Sequence, residues 1–99
     1  MPAEVVWTRR AETDLQSAYE VLEARAEGTG ERLLLVVDGA LAMLRMFPEI
    51  APHYDLPIRR MILGKTNYGI FYTVENRGII LLAIQDLRQD PGAIKKHLG

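Results

Sequence analysis

The chain contains no cysteine, which excludes disulfides and thiolate metal sites and fits a reducing cytosol. It also has no long apolar run. The most apolar stretch, 33–47, is interrupted by Asp38, Gly39 and Arg45, so it is too short and too polar to span a bilayer. The opening MPAEVVWTRR lacks the apolar core of a signal peptide. We therefore expect a soluble, cytoplasmic protein that does not contact a membrane.

An excess of positive charge is missing as well. Twelve Lys and Arg residues stand against thirteen Asp and Glu, which gives a formal net charge of −1. A general polyanion binder carries a clear basic excess, so we expect no stable direct DNA binding by the chain itself. The two histidines, His53 and His97, are not at metal-ligand spacing, and we expect neither a metal site nor a cofactor.

What the chain does contain is an ordinary globular composition, 48% hydrophobic and 25% charged, whose length predicts a single domain over residues 1–99. Apolar periodicity and turn residues predict an α+β fold in the order β-α-α-β-β-β(-α), with a helical hairpin on one face of a small, mainly antiparallel sheet. The predicted elements are a strand 4–8, a first helix that is capped by Thr8 and ended by Gly28-Thr29-Gly30, and a second helix 31–47. A loop 48–57, strands 58–63, 68–75 and 78–86, and a short helix from Pro91 that is capped by Asp90 follow.

The simplest hairpin registers place Arg59 beside Tyr72, Tyr72 beside Leu81, and Phe71 beside Arg60 and Leu82. The helix-facing side then collects Arg59, Met61, Leu63, Ile70, Tyr72, Val74, Leu81 and Ala83. The second side collects Ile58, Arg60, Ile62, Gly69, Phe71, Thr73, Ile80, Leu82, Ile84 and Asp86.

Both sides of the predicted sheet are largely apolar, and the run 79–84 has no polar alternation, as in a strand that is buried on both faces. One helical hairpin covers one face only. We therefore expect the second face to be open and to bind a protein partner. The second helix is apolar nearly all round, which predicts cover on most of its sides. Glu12 and Asp14 are expected to lie on the solvated side of the first helix.

Four stretches, WTRRAETDL, MFPEI, RRMILGKTNYGIFYTV and LLAIQDLRQDP, give the chain a resemblance to the RelE/ParE superfamily of toxins from bacterial toxin–antitoxin (plasmid stabilisation) systems. The likeness runs from Val6 to about Ile94 and is closer to the ParE-like branch. It implies the same helical hairpin on a small sheet. It also implies a cognate antitoxin whose C-terminal segment wraps the toxin and covers the second face.

The superfamily divides by activity: RelE-like members cut mRNA on the ribosome, and ParE-like members inhibit DNA gyrase. The ribonuclease pattern is mostly absent here. Gly69 stands where RelE-like proteins carry an arginine, Ile94 where they carry a tyrosine, and Ile62 where the second lysine of a pair falls. Only Arg60 and Arg88 match basic positions, which makes them the catalytic candidates if the chain is a ribonuclease.

Asp86 stands about where some members carry histidine. We expect it to be ionised and paired with Arg88, and so unable to move the 2′-hydroxyl proton that RNA cleavage requires. The resemblance therefore favours a ParE-like toxin that binds DNA gyrase. Two alternatives stay open: a RelE-like endoribonuclease, and a non-toxic protein of this fold that acts as an interaction partner or a homodimer. The residues expected to bind a target or antitoxin are Arg59, Arg60, Lys65, Phe71, Thr73, Asp86 and Arg88.

Overall fold

A computed structural model of the chain describes residues 2–76 and 78–99, and these form a five-stranded mixed sheet with helices on both faces. The predicted α+β class is confirmed. In chain order the elements are β1 (Glu4–Trp7), α1 (Arg9–Arg25), α2 (Thr29–Met46), β2 (His53–Asp55), β3 (Ile58–Ile62), β4 (Tyr68–Glu75), β5 (Gly78–Asp86) and α3 (Pro91–Leu98). Within these two ranges, no helix has the length and apolarity needed to cross a membrane.

The strand order is β1-β5-β4-β3-β2, with β1 parallel to β5 and the other neighbours antiparallel. The expected loop 48–57 is wrong in one respect, because it contains β2 at the sheet edge. This strand is three residues long and pairs irregularly with β3, His53 opposite Arg59 and Asp55 opposite Ile58. An edge strand this short tolerates the prolines that flank it, since few of its N–H groups are needed for pairing.

Side-chain caps start two of the helices, as the sequence predicts. The Thr8 hydroxyl accepts from the Ala11 N–H at 3.2 Å and donates to the Leu81 carbonyl at 2.7 Å, so the cap also ties α1 to β5. The Asp90 carboxylate accepts from the Ala93 N–H at 3.2 Å and starts α3, with Pro91 in the first turn.

The α1–α2 hairpin depends on glycine in its connection. A Cβ at Gly30 would lie 2.7 Å from the side chains of Tyr19 and Glu23, so only glycine lets the helices approach this closely. The hydroxyl of Thr29 donates to the Leu22 carbonyl at 2.6 Å and caps the end of α1. Helix α2 therefore starts at Thr29, two residues before the predicted start.

A β-bulge in the pairing of β4 with β5 changes the predicted faces. Arg59 lies opposite Tyr72 and Tyr72 opposite Leu81, as expected. The next pair is Phe71 with Ala83, so the predicted Phe71–Leu82 pair is wrong and one extra residue lies in β5. As a result Ala83 packs on the second face, whereas Ile84 packs in the helix-facing core. Asp86 lies opposite Tyr68, whose side chain belongs to the helix-facing core. Asp86 therefore lies on the helix-facing side, and its predicted place on the second face is wrong.

The second face of the sheet is not open over its centre, so that expectation is wrong. Phe71 and Ala83 are fully buried, and Ile94 of α3 packs against them with 4% of its surface exposed. Partly buried hydrophobic residues surround this cluster: Tyr54, Ile58, Leu87 and Leu98. The chain supplies its own cover because Asp90 and Pro91 start a helix only a few residues after β5 ends at Asp86, and α3 folds back across the sheet.

The expectation that α2 is covered on most of its sides is also wrong. Leu33, Val37, Leu41 and Leu44 form its core side. The opposite flank exposes large apolar side chains, with Leu35 69% and Met46 63% exposed. Exposed apolar surface therefore lies on α2 and not at the centre of the second face.

A buried carboxylate fastens three elements together. Asp14 of α1 is 9% exposed, which corrects its predicted solvated position, whereas Glu12 is exposed as expected. The Asp14 carboxylate accepts from the Ile84 N–H at 3.0 Å and lies 3.0 Å from Nε2 of His97 in α3. The pairing of β1 with β5 stops at Leu81, so Asp14 satisfies a strand N–H that β1 no longer reaches.

We predict that Asp14→Ala lowers the free energy of unfolding by about 2 kcal/mol, because it leaves the buried Ile84 N–H without an acceptor. Asp14→Asn keeps an acceptor and should cost less. Glu12→Ala, on the exposed side of the same helix, is the matched control and should change stability little. Urea unfolding followed by circular dichroism measures all three. Equal stabilities for Asp14→Ala and Glu12→Ala would contradict the fastening role.

Candidate functional site

Positive charge gathers in a cleft of about 220 Å³ at one end of the sheet, where the tip of the helical hairpin meets the β3–β4 turn and the end of β5. Its lining residues are Leu22, Arg25, Thr29, Arg32, Leu33, Lys65, Thr66, Asn67, Tyr68 and Arg88. Four of these are cations and none is an acid. We name this site the basic cleft.

Each cation of the basic cleft is placed by a different element. Arg25 is in the last turn of α1 and Arg32 follows the start of α2, so the short hairpin connection brings both to the same end of the molecule. Lys65 has φ +63° in the β3–β4 turn. That turn is held by Thr66, whose hydroxyl donates to the Leu63 carbonyl at 2.9 Å and accepts from the Tyr68 N–H at 3.0 Å.

Arg88 is oriented by an ion pair with Asp86. Its Nη2 donates to one carboxylate oxygen at 2.7 Å and its Nε to the other at 3.1 Å, while its backbone N–H donates at 2.9 Å. The hydrogen bonds from Arg88 lower the pKa of Asp86 from its ordinary value, despite partial burial. The carboxylate is therefore ionised and already bound, which leaves it a weak proton acceptor.

Tyr68 and two leucines form an apolar floor beneath the cations. Tyr68 is 8% exposed, Leu33 is 1% exposed and Leu22 is half-buried. Burial raises the pKa of the Tyr68 hydroxyl, and Asp86 raises it further, whereas Arg25 and Arg88 act in the opposite direction. The site thus combines a cationic rim with an apolar floor.

Three of the seven predicted site residues therefore converge at this end of the sheet. Lys65 and Arg88 line the basic cleft, and Asp86 orients Arg88. Sequence analysis missed Arg25 and Arg32. A signal for them existed, because residues on either side of a short helical connection lie close together once a hairpin is predicted.

Arg59 has a structural role. Its guanidinium donates to the carbonyls of Glu49 and Ala51 at 3.0 and 2.7 Å, and its side chain is 16% exposed. Beside it, the Tyr72 hydroxyl donates to the Pro48 carbonyl at 2.8 Å. These bonds hold the segment between α2 and β2 against the sheet.

The remaining predicted residues, Arg60, Phe71 and Thr73, are not in the basic cleft. Phe71 is fully buried and Thr73 is 9% exposed. The guanidinium carbon of Arg60 lies 5.3 Å from the centre of the Tyr54 ring, which contacts Phe71 edge-on at 5.1 Å. Arg60 therefore belongs to the second face, beside the surface that α3 covers.

The structure does not bring Arg60 and Arg88 together. Arg60 lies opposite Phe71, while Arg88 follows Asp86, which lies opposite Tyr68. Phe71 and Tyr68 are three positions apart on β4, which is roughly 10 Å along the strand. Across residues 2–76 and 78–99, no three His, Cys, Asp or Glu side chains gather as a metal site.

Two positions of this chain correspond, by the family resemblance, to catalytic residues of RelE-like ribonucleases. In this structure both are taken up by packing within the fold. A Cβ on Gly69 would lie 3.1 Å from the methyl groups of Leu87, so Leu87 fills the space that an arginine there would need. Ile94 points into the second-face cluster and is buried. The third position, Ile62, is 60% exposed and apolar.

The sequence model of the family described as "ParE toxin of type II toxin-antitoxin system, parDE" matches residues 5–91. Among solved structures, a chain of the chromosomal ParDE TA system from P. aeruginosa is similar, with a TM-score of 0.76 and 17% sequence identity. The likeness covers 87% of this chain and 97% of that chain, and at this identity it shows a shared fold. No match was found among curated proteins.

We predict that Arg88→Gln raises the pKa of Asp86 toward its ordinary value, because the main hydrogen bonds to the carboxylate are lost. In the folded chain this pKa lies below the unfolded value. The pair therefore stabilises the fold above about pH 4, and that contribution disappears as the pH falls through the folded-state pKa. Carboxyl-carbon NMR titration measures the shift. Arg45→Gln removes an exposed arginine elsewhere and is the control; an identical Asp86 titration in both variants would contradict the assignment.

Proposed function

The chain belongs to the ParE toxin family of type II toxin–antitoxin systems, and from that premise we propose that it acts in the cytoplasm by binding and inhibiting DNA gyrase. A cognate antitoxin neutralises it by binding the toxin directly. The family match over residues 5–91 supports the toxin class. The choice of an inhibitory binder over a ribonuclease depends on the chemistry of the site.

The observation that carries this choice is the filling of the ribonuclease positions by packing groups. Leu87 occupies the space above Gly69, and Ile94 is buried against Phe71 and Ala83. Neither position can present a cation or an aromatic hydroxyl to RNA without repacking the second face. The two side chains serve the fold, which favours recognition of a partner over cleavage of a phosphodiester.

The charges of the basic cleft also favour an inhibitory binder over a ribonuclease. Cleavage at a 2′-hydroxyl needs a group that accepts its proton, together with cations that stabilise the phosphate. The cations are present, but Asp86 is held ionised by Arg88 and is a weak base. Arg60, the other basic candidate, lies on the second face beside Tyr54.

Exposed apolar surface at the end of α2 supports a protein partner. Met46, Phe47 and Ile50 are 63%, 56% and 53% exposed, and they border a groove of about 710 Å³ next to Ala3 and Val74. Large hydrophobic side chains that cluster on a surface usually mark a protein–protein contact. We assign this groove, the α2-end groove, to the antitoxin.

We predict that induced expression of the chain in a bacterium arrests growth and triggers the SOS response while mRNA stays intact. Co-expression of the small DNA-binding protein encoded next to it should restore growth. The purified chain should inhibit supercoiling by gyrase in vitro, and the purified neighbour should relieve that inhibition. The reason is that a toxin without cleavage groups has to act by occupying its target.

Three outcomes of the expression experiment would contradict the proposal. Ribosome-dependent cuts in mRNA would establish the RelE-like alternative. Growth arrest without any effect on purified gyrase would move the target elsewhere. Normal growth with abundant folded chain would favour a non-toxic protein of this fold.

We predict that Arg60→Ala weakens toxicity or antitoxin binding about tenfold, because a half-buried arginine stacked on a tyrosine suits a protein contact. Lys95→Ala, on the exposed side of α3, is the control and should change neither. Arg60→Lys separates the charge from the planar stacking. Growth assays and pull-down with the antitoxin measure these effects. Equal behaviour of Arg60→Ala and Lys95→Ala would remove Arg60 from the contact surface.

A further inference from the structure

Within the described residues, three cations of the basic cleft form no salt bridge, although the charge of the nearby Asp86 also acts on Arg25. Among the residues that the structure describes, ion pairs join Arg59 with Glu49, Arg88 with Asp86 and His97 with Asp14, and none involves Arg25, Arg32 or Lys65. Like charges gathered around one cleft repel each other. An anionic ligand would offset this repulsion, so its binding to the cleft is electrostatically favourable.

The floor of the basic cleft narrows the class of anion. Leu22, Leu33 and Tyr68 give it an apolar base, which a phosphate group alone would not use. Leu33 and Tyr68 are already almost fully buried, with 1% and 8% of their surface exposed, so an apolar side chain of the ligand would bury mainly its own area and that of the half-buried Leu22. This burial is worth about 25 cal/mol for each Å² removed from water. The complementary ligand therefore carries an apolar side chain with negative charges on either side of it.

Charge distribution makes a nucleic acid the less suitable ligand. The net charge of −1 gives no long-range attraction to a polyanion. The cations also come from four separate elements and surround a small cleft. Nucleic-acid backbones are bound by basic side chains that follow a row of phosphates, with affinity that grows as more phosphates are neutralised. A cleft of about 220 Å³ accommodates one or two side chains of a peptide.

We propose that the basic cleft binds an acidic segment of a partner protein, with an apolar side chain on the Leu22–Leu33–Tyr68 floor and flanking carboxylates on Arg25, Arg32, Lys65 and Arg88. The identification of this partner as the antitoxin rests on the function proposed above. The binding of an acidic segment does not depend on that function, because it follows from the charges and the floor of the cleft alone. Arg88 already binds the Asp86 carboxylate, which offsets its charge, so Arg25, Arg32 and Lys65 supply most of the attraction for the carboxylates of the partner.

The test uses the purified chain and a short fluorescein-labelled peptide in which a central leucine is flanked by Asp and Glu residues. Fluorescence anisotropy should show binding that weakens as salt is raised. The double variant Arg25→Glu/Arg32→Glu should weaken binding at least about tenfold, since two attractive charges become repulsive. Replacing the leucine of the peptide by serine should also weaken it, because the floor then loses its apolar contact.

The matched control is Lys95→Glu/Lys96→Glu, which changes the net charge of the chain by the same amount on exposed positions of α3. It should bind the peptide as the unchanged chain does. Circular dichroism and thermal unfolding establish that both double variants are folded. Equal loss of binding in the two variants would show that peptide binding depends only on the net charge of the chain, and this would overturn the proposal.

Other outcomes overturn it as well. The proposal fails if the acidic peptide does not bind at low salt. It also fails if single-stranded RNA binds more tightly than the peptide and Arg25→Glu/Arg32→Glu abolishes that binding, because the cleft would then be a nucleic-acid site. A pull-down with the antitoxin separates the two proposals. If Arg25→Glu/Arg32→Glu captures the antitoxin normally while the chain is toxic, the identification of the cleft's partner as the antitoxin fails and the toxin function stands. If the peptide binds but the chain is harmless to cells, the function fails and the cleft assignment stands.

Discussion

The pairing of β4 with β5 is the constraint on which the rest of the fold depends. Eight residue pairs join the two strands, from Tyr68–Asp86 to Glu75–Gly78. Ile70 and Tyr72 point to one side and Phe71 to the other, and all three are fully buried. Burying side chains of this size stabilises a fold by about 1.5–3 kcal/mol each, which requires cover on both faces. The helical hairpin supplies one cover and α3 supplies the other.

One extra residue in β5 decides which side chains meet each cover. The apolar run 79–84 has no alternation, so the sequence is equally compatible with a continuous register and with a bulge. The observed shift after Leu81 turns Ala83 toward α3 and Ile84 toward the hairpin. It also brings Asp86 to the helix side of the sheet, where Arg88 joins the cations of the hairpin tip. The composition of the basic cleft is thus a consequence of the bulge.

Local signals predicted much of the fold, whereas long-range contacts decided the remainder. The caps at Thr8 and Asp90 and the boundaries of β4 and β5 depend on neighbouring residues, and these predictions are confirmed. Asp14 and Glu12 look alike on a helical pattern, and only the distant Ile84 N–H separates a buried acid from a solvated one. Helix α3 was predicted as an element, but its eight residues carry no pattern that specifies which surface they cover.

The candidate site was predicted in part for the same reason. Strand neighbours such as Lys65 and Arg88 could be placed from a hairpin register, while Arg25 and Arg32 required the position of the helices over the sheet. The helices also show why the basic cleft and the α2-end groove are separate. Arg32 and Met46 lie fourteen residues apart on α2, which is about 21 Å along the helix axis.

A partner that occupies both sites has to extend along α2. The exposed side chains of Leu35 and Met43 lie between the two ends, and their helical spacing places them on the same flank as Arg32 and Met46. Apolar contacts along this flank and charged contacts at its N-terminal end require different residues in successive parts of the partner. A compact partner surface could reach one end only. An elongated segment that is acidic at one end and apolar along the rest satisfies the charge and the exposed hydrophobic surface together.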